Sequence, residues 1–203
     1  MSVREADFRA VMGRFATGVT VVTTMRDDCP LGITVNAFTS LSLDPPLVLI
    51  CIERRSYLHD SIRQAGFFAA NLLDEDQREL AIGFATHSDR RDRDLYGVRY
   101  HAGVTGAPIF DQSLGYVECR LVNVYPGGDH GIFVGEVVAL DGTDQNPLLY
   151  YRGKYGAYAP YDTSEQVGLA APAVAQPSKS SKNGSNGSNG TGRANPLADG
   201  RVN

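Results

Sequence analysis

Gly32-Ile33-Thr34-Val35-Asn36-Ala37-Phe38-Thr39-Ser40-Leu41-Ser42-Leu43-Asp44-Pro45-Pro46-Leu47 reads as a strand that dissolves into a hydroxyl- and amide-rich loop, stops at a double proline, and re-enters a strand. Small polar side chains and accessible backbone amides are thereby held between two rigid strands. Such a surface can hydrogen-bond a flat heterocycle carrying many donors and acceptors. The spacing predicts strands over residues 31–38 and 47–53. Residues 47–52 are apolar throughout, so both faces of that second strand are expected to be covered.

Outward from this stretch, residues 19–25 are β-branched and read as a strand, joined to the next by the polar turn 26–30. Before it, Phe8, Val11, Met12 and Phe15 recur at helical spacing. Ser2 and Glu5 have capping-box spacing, and Gly18 is the expected stop. After it, Ser56 could cap a short helix over 57–64, and residues 66–72 read as a strand. Asp74 and Gln77 then cap a helix reaching about Phe84. Residues 87–94 read as a polar loop and 98–101 as a short strand. Residues 115–125 alternate as a half-buried strand, and 126–129 form a turn. Residues 131–140 are its hairpin partner, and 148–151 a last strand. That makes roughly seven short strands and two or three helices by pattern. No regular β-α-β alternation is present, which disfavours a doubly wound parallel sheet. Antiparallel strands with turn signals at this spacing point to a mainly β domain closed or split as a barrel.

The chain has 203 residues, a formal net charge of -4 and 42% hydrophobic residues, the profile of one soluble domain. No apolar run approaches the ~20 residues needed to cross a bilayer, and no h-region opens the chain. Three cysteines, Cys29, Cys51 and Cys119, form no metal-ligand spacing. The odd count and the lack of an export signal favour a reducing cytoplasm. Mild acidity without a basic block argues against a nucleic-acid partner. The composition changes near residue 164. From there the chain runs through Ala/Pro, Ser/Lys and Asn-Gly-Ser repeats, without aromatic residues. We expect an ordered domain over 1–163 and a disordered tail over 164–203.

The sequence has no GxGxxG after a strand, no GxxxxGK[ST], no GxSxG and no HExxH, so any cofactor is held by something other than a common phosphate loop. Glu53-Arg54-Arg55-Ser56 puts bases and a serine before a helix N-terminus. That is a reasonable anion site, and equally a solvated turn with a serine cap. The run from Ser88 to Asp94 is a surface loop by its balanced charge, with Arg90 as a possible phosphate-pairing fork. Gly128-Asp129-His130-Gly131 sits at the hairpin, where Gly127, Gly128 and Gly131 would leave space beside the imidazole for a planar ligand. A lone histidine in a turn is otherwise an ordinary surface residue. Arg152-Gly153-Lys154-Tyr155 closes the ordered part. Cys51 lies in the most apolar strand, as inert core by its chemistry. His59 has no visible partner.

The stretch from Thr34 to Leu47, with Gly128-Asp129-His130, resembles the flavin reductase-like family, the short NAD(P)H:flavin oxidoreductases of two-component monooxygenases. The likeness spans about residues 5–158. It implies an FMN-binding split β-barrel of Greek-key antiparallel strands with flanking helices. It also implies a homodimer with flavin near the interface, FMN or FAD bound, NADH or NADPH as co-substrate, and a separate flavin-dependent oxygenase as partner. On the same basis Thr34, Val35, Asn36 and Ala37 would lie beside the isoalloxazine, with Ser40, Leu41 and Ser42 running toward the ribityl chain. Cys51 and Ile52 would touch the flavin through backbone atoms. Arg55, Ser56, Phe84 and Arg90 would lie near its phosphate or adenylate. His130 would position the nicotinamide, with Arg152 and Tyr155 near its nucleotide. No metal is required. The alternatives are an oxidase-type split barrel with tightly bound FMN and a non-catalytic flavin-binding module.

Overall fold

Two strands adjacent in sequence stand at opposite ends of one sheet, and this decides the architecture. In the computed structural model, residues 3–85 and 95–161 are described. Along them run α1 (Glu5–Met12), β1 (Thr17–Gly18), β2 (Thr20–Arg26), β3 (Cys29–Val35), β4 (Phe38–Leu43) and β5 (Pro46–Glu53). Next come α2 (Tyr57–Ala65), β6 (Phe67–Leu72), α3 (Arg78–Ala85), a 3-10 turn at Leu95–Gly97, β7 (Tyr100–Ala102) and β8 (Pro108–Phe110). The last are β9 (Gly115–Gly127), β10 (His130–Gly142), β11 (Leu148–Tyr151) and β12 (Lys154–Ala157).

The main sheet has seven antiparallel strands in the order β3-β2-β6-β9-β10-β5-β4. In a flat sheet its edges would lie six strand spacings, about 29 Å, apart. Only Asn36 and Ala37 join the two edge strands β3 and β4. The sheet must therefore curl until its edges come together at that two-residue link, and Cys51 N–H, donating to Ala37 O at 3.0 Å, carries the β4–β5 pairing up to it. The inward faces share one core of Val22, Leu31, Val35, Val48, Ile50, Phe68, Cys119 and Phe133. Leu58 and Ile62 of α2 pack into the same core. Ser56 caps that helix by accepting from Leu58 N–H, and Tyr57 ties it to β3 by donating to Gly32 O at 2.6 Å.

The outer wall is covered unevenly. Over β3 and β2 lies α3, and over β2 and β6 the β7–β8 hairpin, closing a second core of Val19, Val21, Leu73, Ala81, Phe84, Phe110 and Leu148. Buried Asn71 and Thr23 anchor that hairpin: Phe110 N–H donates to Asn71 Oδ1, and the Thr23 hydroxyl donates to Pro108 O. The buried carboxylate of Glu118 holds its turn, accepting from Val104 N–H, Thr105 N–H and the Thr105 hydroxyl. A small sheet of β1, β11 and β12 stands apart from the main one.

Several sequence expectations change. The strand expected over 31–38 ends at Val35, and Phe38 with residues 39–43, read as loop, pairs with β5 as β4, with a register shift between Ser40 and Ser42 that absorbs the irregular polar pattern. β8 and β12 were not expected either. Each is short and lacks alternation, and pairs locally across a turn. α1 ends at Met12, with Gly13 at its cap. Gly18 is already in β1, and Arg4 rather than Ser2 takes the N-cap position. Asp74 and Gln77 do not cap the helix as expected: α3 starts only at Arg78, and Asp74 N–H donates to Gln77 Oε1 at 3.1 Å within the turn that precedes it. On β5, Val48, Ile50 and Ile52 face the core, but Leu47, Leu49 and Cys51 remain half-buried on the outer side. Only one face of this apolar strand is fully covered in the single chain. The expected tail from 164 and Arg90 lie outside the described residues, and the compact unit runs through Pro160.

Candidate active site

β5 links the two sequence signals. At its C-terminal end Ala37 meets Cys51, and His130 stands opposite Glu53 on β10. Two strand spacings across and two residues along put Ala37 and His130 roughly 12 Å apart. Both regions thus open onto one end of the sheet. His130, Glu53, Cys51 and Ile132 alternate onto the same outer face, since directly paired residues of antiparallel strands share a side.

Beside them, β4 is an edge strand, so one row of its backbone N–H and C=O groups has no strand partner. Asn36, Ala37, Thr39, Ser40 and Leu41 are exposed. Among the described residues, the side chains of Asn36 and Ser40 make no hydrogen bond, and Ser42 Oγ accepts from Asp44 N–H at 3.3 Å. This free edge has the alternating donors and acceptors that the rim of a flavin ring requires, so the residues present fit that group.

Other candidates are already occupied. The Thr34 hydroxyl donates to Ala81 O at 2.7 Å and fastens β3 to α3, so it is engaged rather than offered to a ligand. Val35 points into the core, and its carbonyl accepts from the Thr20 hydroxyl. Ile52 also points inward, leaving only its backbone on the site's side. Phe84 is core: 3% exposed, it packs on Tyr96, Phe110 and Gly32, and its ring has almost no surface to give a ligand. Cys51 is half-buried on the outer face, and burial pushes its thiol up, so it stays a neutral wall.

Arg55 donates to Glu53 Oε1 through Nε at 2.9 Å and Nη2 at 2.7 Å, so a ligand phosphate would have to compete with Glu53 for it. The Ser56 hydroxyl is committed to its cap. Arg152 and Tyr155 belong to the small sheet. Arg152 forms the positive-φ turn and donates its N–H to Gly13 O, while Tyr155 stacks edge-on against Tyr150. Burial, followed by Tyr150, raises the Tyr155 phenol.

The glycines around His130 behave differently from expectation. Only Gly128, in its left-handed turn conformation, faces open space. A Cβ at Gly131 would meet His59 Nε2 at 2.7 Å, so that space is filled by the chain itself. His59, partnerless by sequence, is buried, with Asp60 at 3.1 Å from Nδ1 and Phe133 edge-on at 5.1 Å. Asp129 was the residue most easily missed. Its Oδ1 lies 2.7 Å from His130 Nδ1, and this hydrogen bond and the imidazole's charge, the larger causes, hold its carboxyl below the usual range. The sequence marks it only as the middle of the Gly128-Asp129-His130 triplet, without a role of its own.

A curled antiparallel sheet thus brings a polar free edge and an imidazole to the same end. The chain belongs to the flavin reductase-like family: the family model, described as the flavin reductase like domain, matches residues 12–159. It is 44% identical over 157 residues to the reductase component of a 4-nitrophenol 4-monooxygenase/4-nitrocatechol 2-monooxygenase of Rhodococcus opacus, covering 77% of this chain and 83% of that one. An NADH-dependent flavin reductase of a Rhodococcus species is 39% identical over 150 residues, with 72% and 82% covered. Among solved structures, the NADH:FAD oxidoreductase of Streptomyces globisporus in complex with NAD and FAD fragments has a TM-score of 0.72 and 36% identity, covering 79% of this chain and 98% of that one.

Proposed function

We infer that this chain is an NAD(P)H:flavin oxidoreductase that passes hydride from NADH or NADPH to FMN or FAD, for use by a separate flavin-dependent monooxygenase. The observation that carries this reading is the convergence of the β4 free edge and the Gly128-Asp129-His130 hairpin at one end of β5. The similar proteins named above, the reductase component of a monooxygenase and an NADH-dependent flavin reductase, support this reading.

A bound flavin supplies the hydride-accepting chemistry, and the protein supplies orientation. Backbone groups of residues 36–42 would hold the ring edge, with Asn36 and Ser40 adding side-chain donors. Cys51 and Ile132 would give an apolar floor that keeps water from one face. His130 would hold the carboxamide end of the nicotinamide so that the reacting carbon lies within about 3–3.5 Å of its acceptor. His130 needs to take no proton, because hydride transfer leaves none for the protein to accept.

The reading includes a homodimer. α1 is amphipathic yet entirely exposed, with Phe8 at 59% and Val11 at 65%, and the outer row Leu47, Leu49, Cys51 and Ile132 is only half-covered. Apolar surface of this extent marks a contact surface, and a second copy would cover it. No described helix is long and apolar enough to cross a membrane, and we place the protein in the cytoplasm. We assign the ordered function to residues 1–163, with 164–203 as a passive extension.

The test is NADH and NADPH oxidation, followed by absorbance, with and without added FMN, FAD or riboflavin. Turnover that depends on free flavin is the expected result. No turnover with any flavin would end the proposal, and turnover by the purified protein without added flavin would favour the tightly bound alternative.

A further inference from the structure

We propose that Asp129 is a positioning residue for His130: it holds the Nδ1–H and so makes Nε2 the nitrogen presented to the dihydropyridine substrate. This rests on the role given to His130 above. A carboxylate can only accept a hydrogen bond. The 2.7 Å contact between Asp129 Oδ1 and His130 Nδ1 therefore requires the proton to sit on Nδ1, whether the ring is neutral or charged. Neutral imidazole has one N–H, so Nε2 is then a bare acceptor. It suits the amide N–H of a nicotinamide carboxamide and not its carbonyl.

The surrounding groups leave this task to Asp129. Glu53 stands opposite His130 on β5, but its Oε1 is engaged by Arg55. His59 lies beneath Gly131, but its Nδ1 pairs with Asp60. The His130 hydrogen bond and the imidazole's charge hold the Asp129 carboxyl below its usual range, with Arg55 a minor further positive charge. Gly128, with open space beside it, adds no side chain to the approach of a planar ring. The imidazole is thus fixed in tautomer and orientation from one side and open on the other, as an oriented hydrogen-bond acceptor must be.

Protein labelled with nitrogen-15 histidine tests this without any substrate. The chain has four histidines, and a His130→Ala sample assigns the relevant pair of signals. Above the titration of the ring, His130 is expected as the Nδ1–H tautomer, with Nε2 in the unprotonated range. Asp129→Ala should move it to the Nε2–H form that dominates in free histidine. In the same variant, KM for NADH should rise roughly three- to tenfold, as for one lost oriented hydrogen bond, with flavin affinity unchanged. Asp129→Glu should restore part of both effects. A wild-type Nε2–H tautomer, or a tautomer indifferent to Asp129→Ala, overturns the proposal. Because the spectra need no turnover, a chain that fails to oxidise NADH would remove the functional reading and leave the tautomer result standing separately.

Discussion

At the scale of the residue, the site divides into side chains that present chemistry and side chains that hold the frame. Thr34 and His130 look equally functional on the page of letters, yet Thr34 spends its hydroxyl on Ala81 O while His130 is half-exposed, with one nitrogen held. His130→Ala should therefore lower the rate of NADH oxidation more than it weakens flavin binding. Steady-state kinetics beside a flavin titration checks this, and unchanged kinetics removes His130 from the site. The same contrast explains Phe84 and Ile52. Their spacing is apolar and says only that they are buried, whereas which cavity a buried ring fills depends on partners over fifty residues away, such as Gly32 for Phe84. The role of Asp129 is illegible in the sequence for the opposite reason. Its contact is to its immediate neighbour, and the side-chain geometry of a turn decides whether neighbours touch.

At the scale of the element, α1 carries the clearest unfinished business. Its apolar positions Phe8, Val11 and Met12 follow helical spacing, which was legible at once, but all three are exposed in the single chain, as is Phe15 beyond its end. Burial of side chains this size is worth about 1.5–3 kcal/mol each, a gain open to a second copy. Replacing Phe8 and Val11 together with glutamate should shift sedimentation from dimer to monomer while leaving the far-ultraviolet dichroism unchanged. A species still dimeric would remove α1 from the interface. β4 gives the complementary lesson. A polar, hydroxyl-rich run reads as loop because it lacks period-two hydrophobicity. It becomes a strand because β5 beside it offers a full row of backbone partners.

At the scale of the whole molecule, the folded state holds protons that the unfolded chain releases. Burial, then the neighbouring Glu118, pushes the Cys119 thiol from 9.0 up to about 12, and burial, then Tyr96, pushes the Tyr57 phenol from 10.0 up to about 12. With both native values raised, this stabilisation is complete below about pH 9 and drains away as pH climbs toward about 12. Urea unfolding midpoints should be level from pH 7 to 8.5 and fall steeply by pH 11. A level profile to pH 11 would contradict the burial of these two groups. The sequence by itself determined the mainly β composition, the antiparallel hairpins, the Ser56 helix cap, and the two motifs that carry the family likeness. All of these are local: periodicity, turn chemistry and short ordered runs act within a dozen residues. Only the tertiary structure decided that the sheet closes through Asn36 and Ala37, that the Gly131 gap is filled by His59, and that the β4 edge and His130 open onto one end of β5. Those outcomes depend on pairing between strands eighty residues apart in sequence, such as β5 with β10. Their energy comes from joint burial rather than from any single segment's preference.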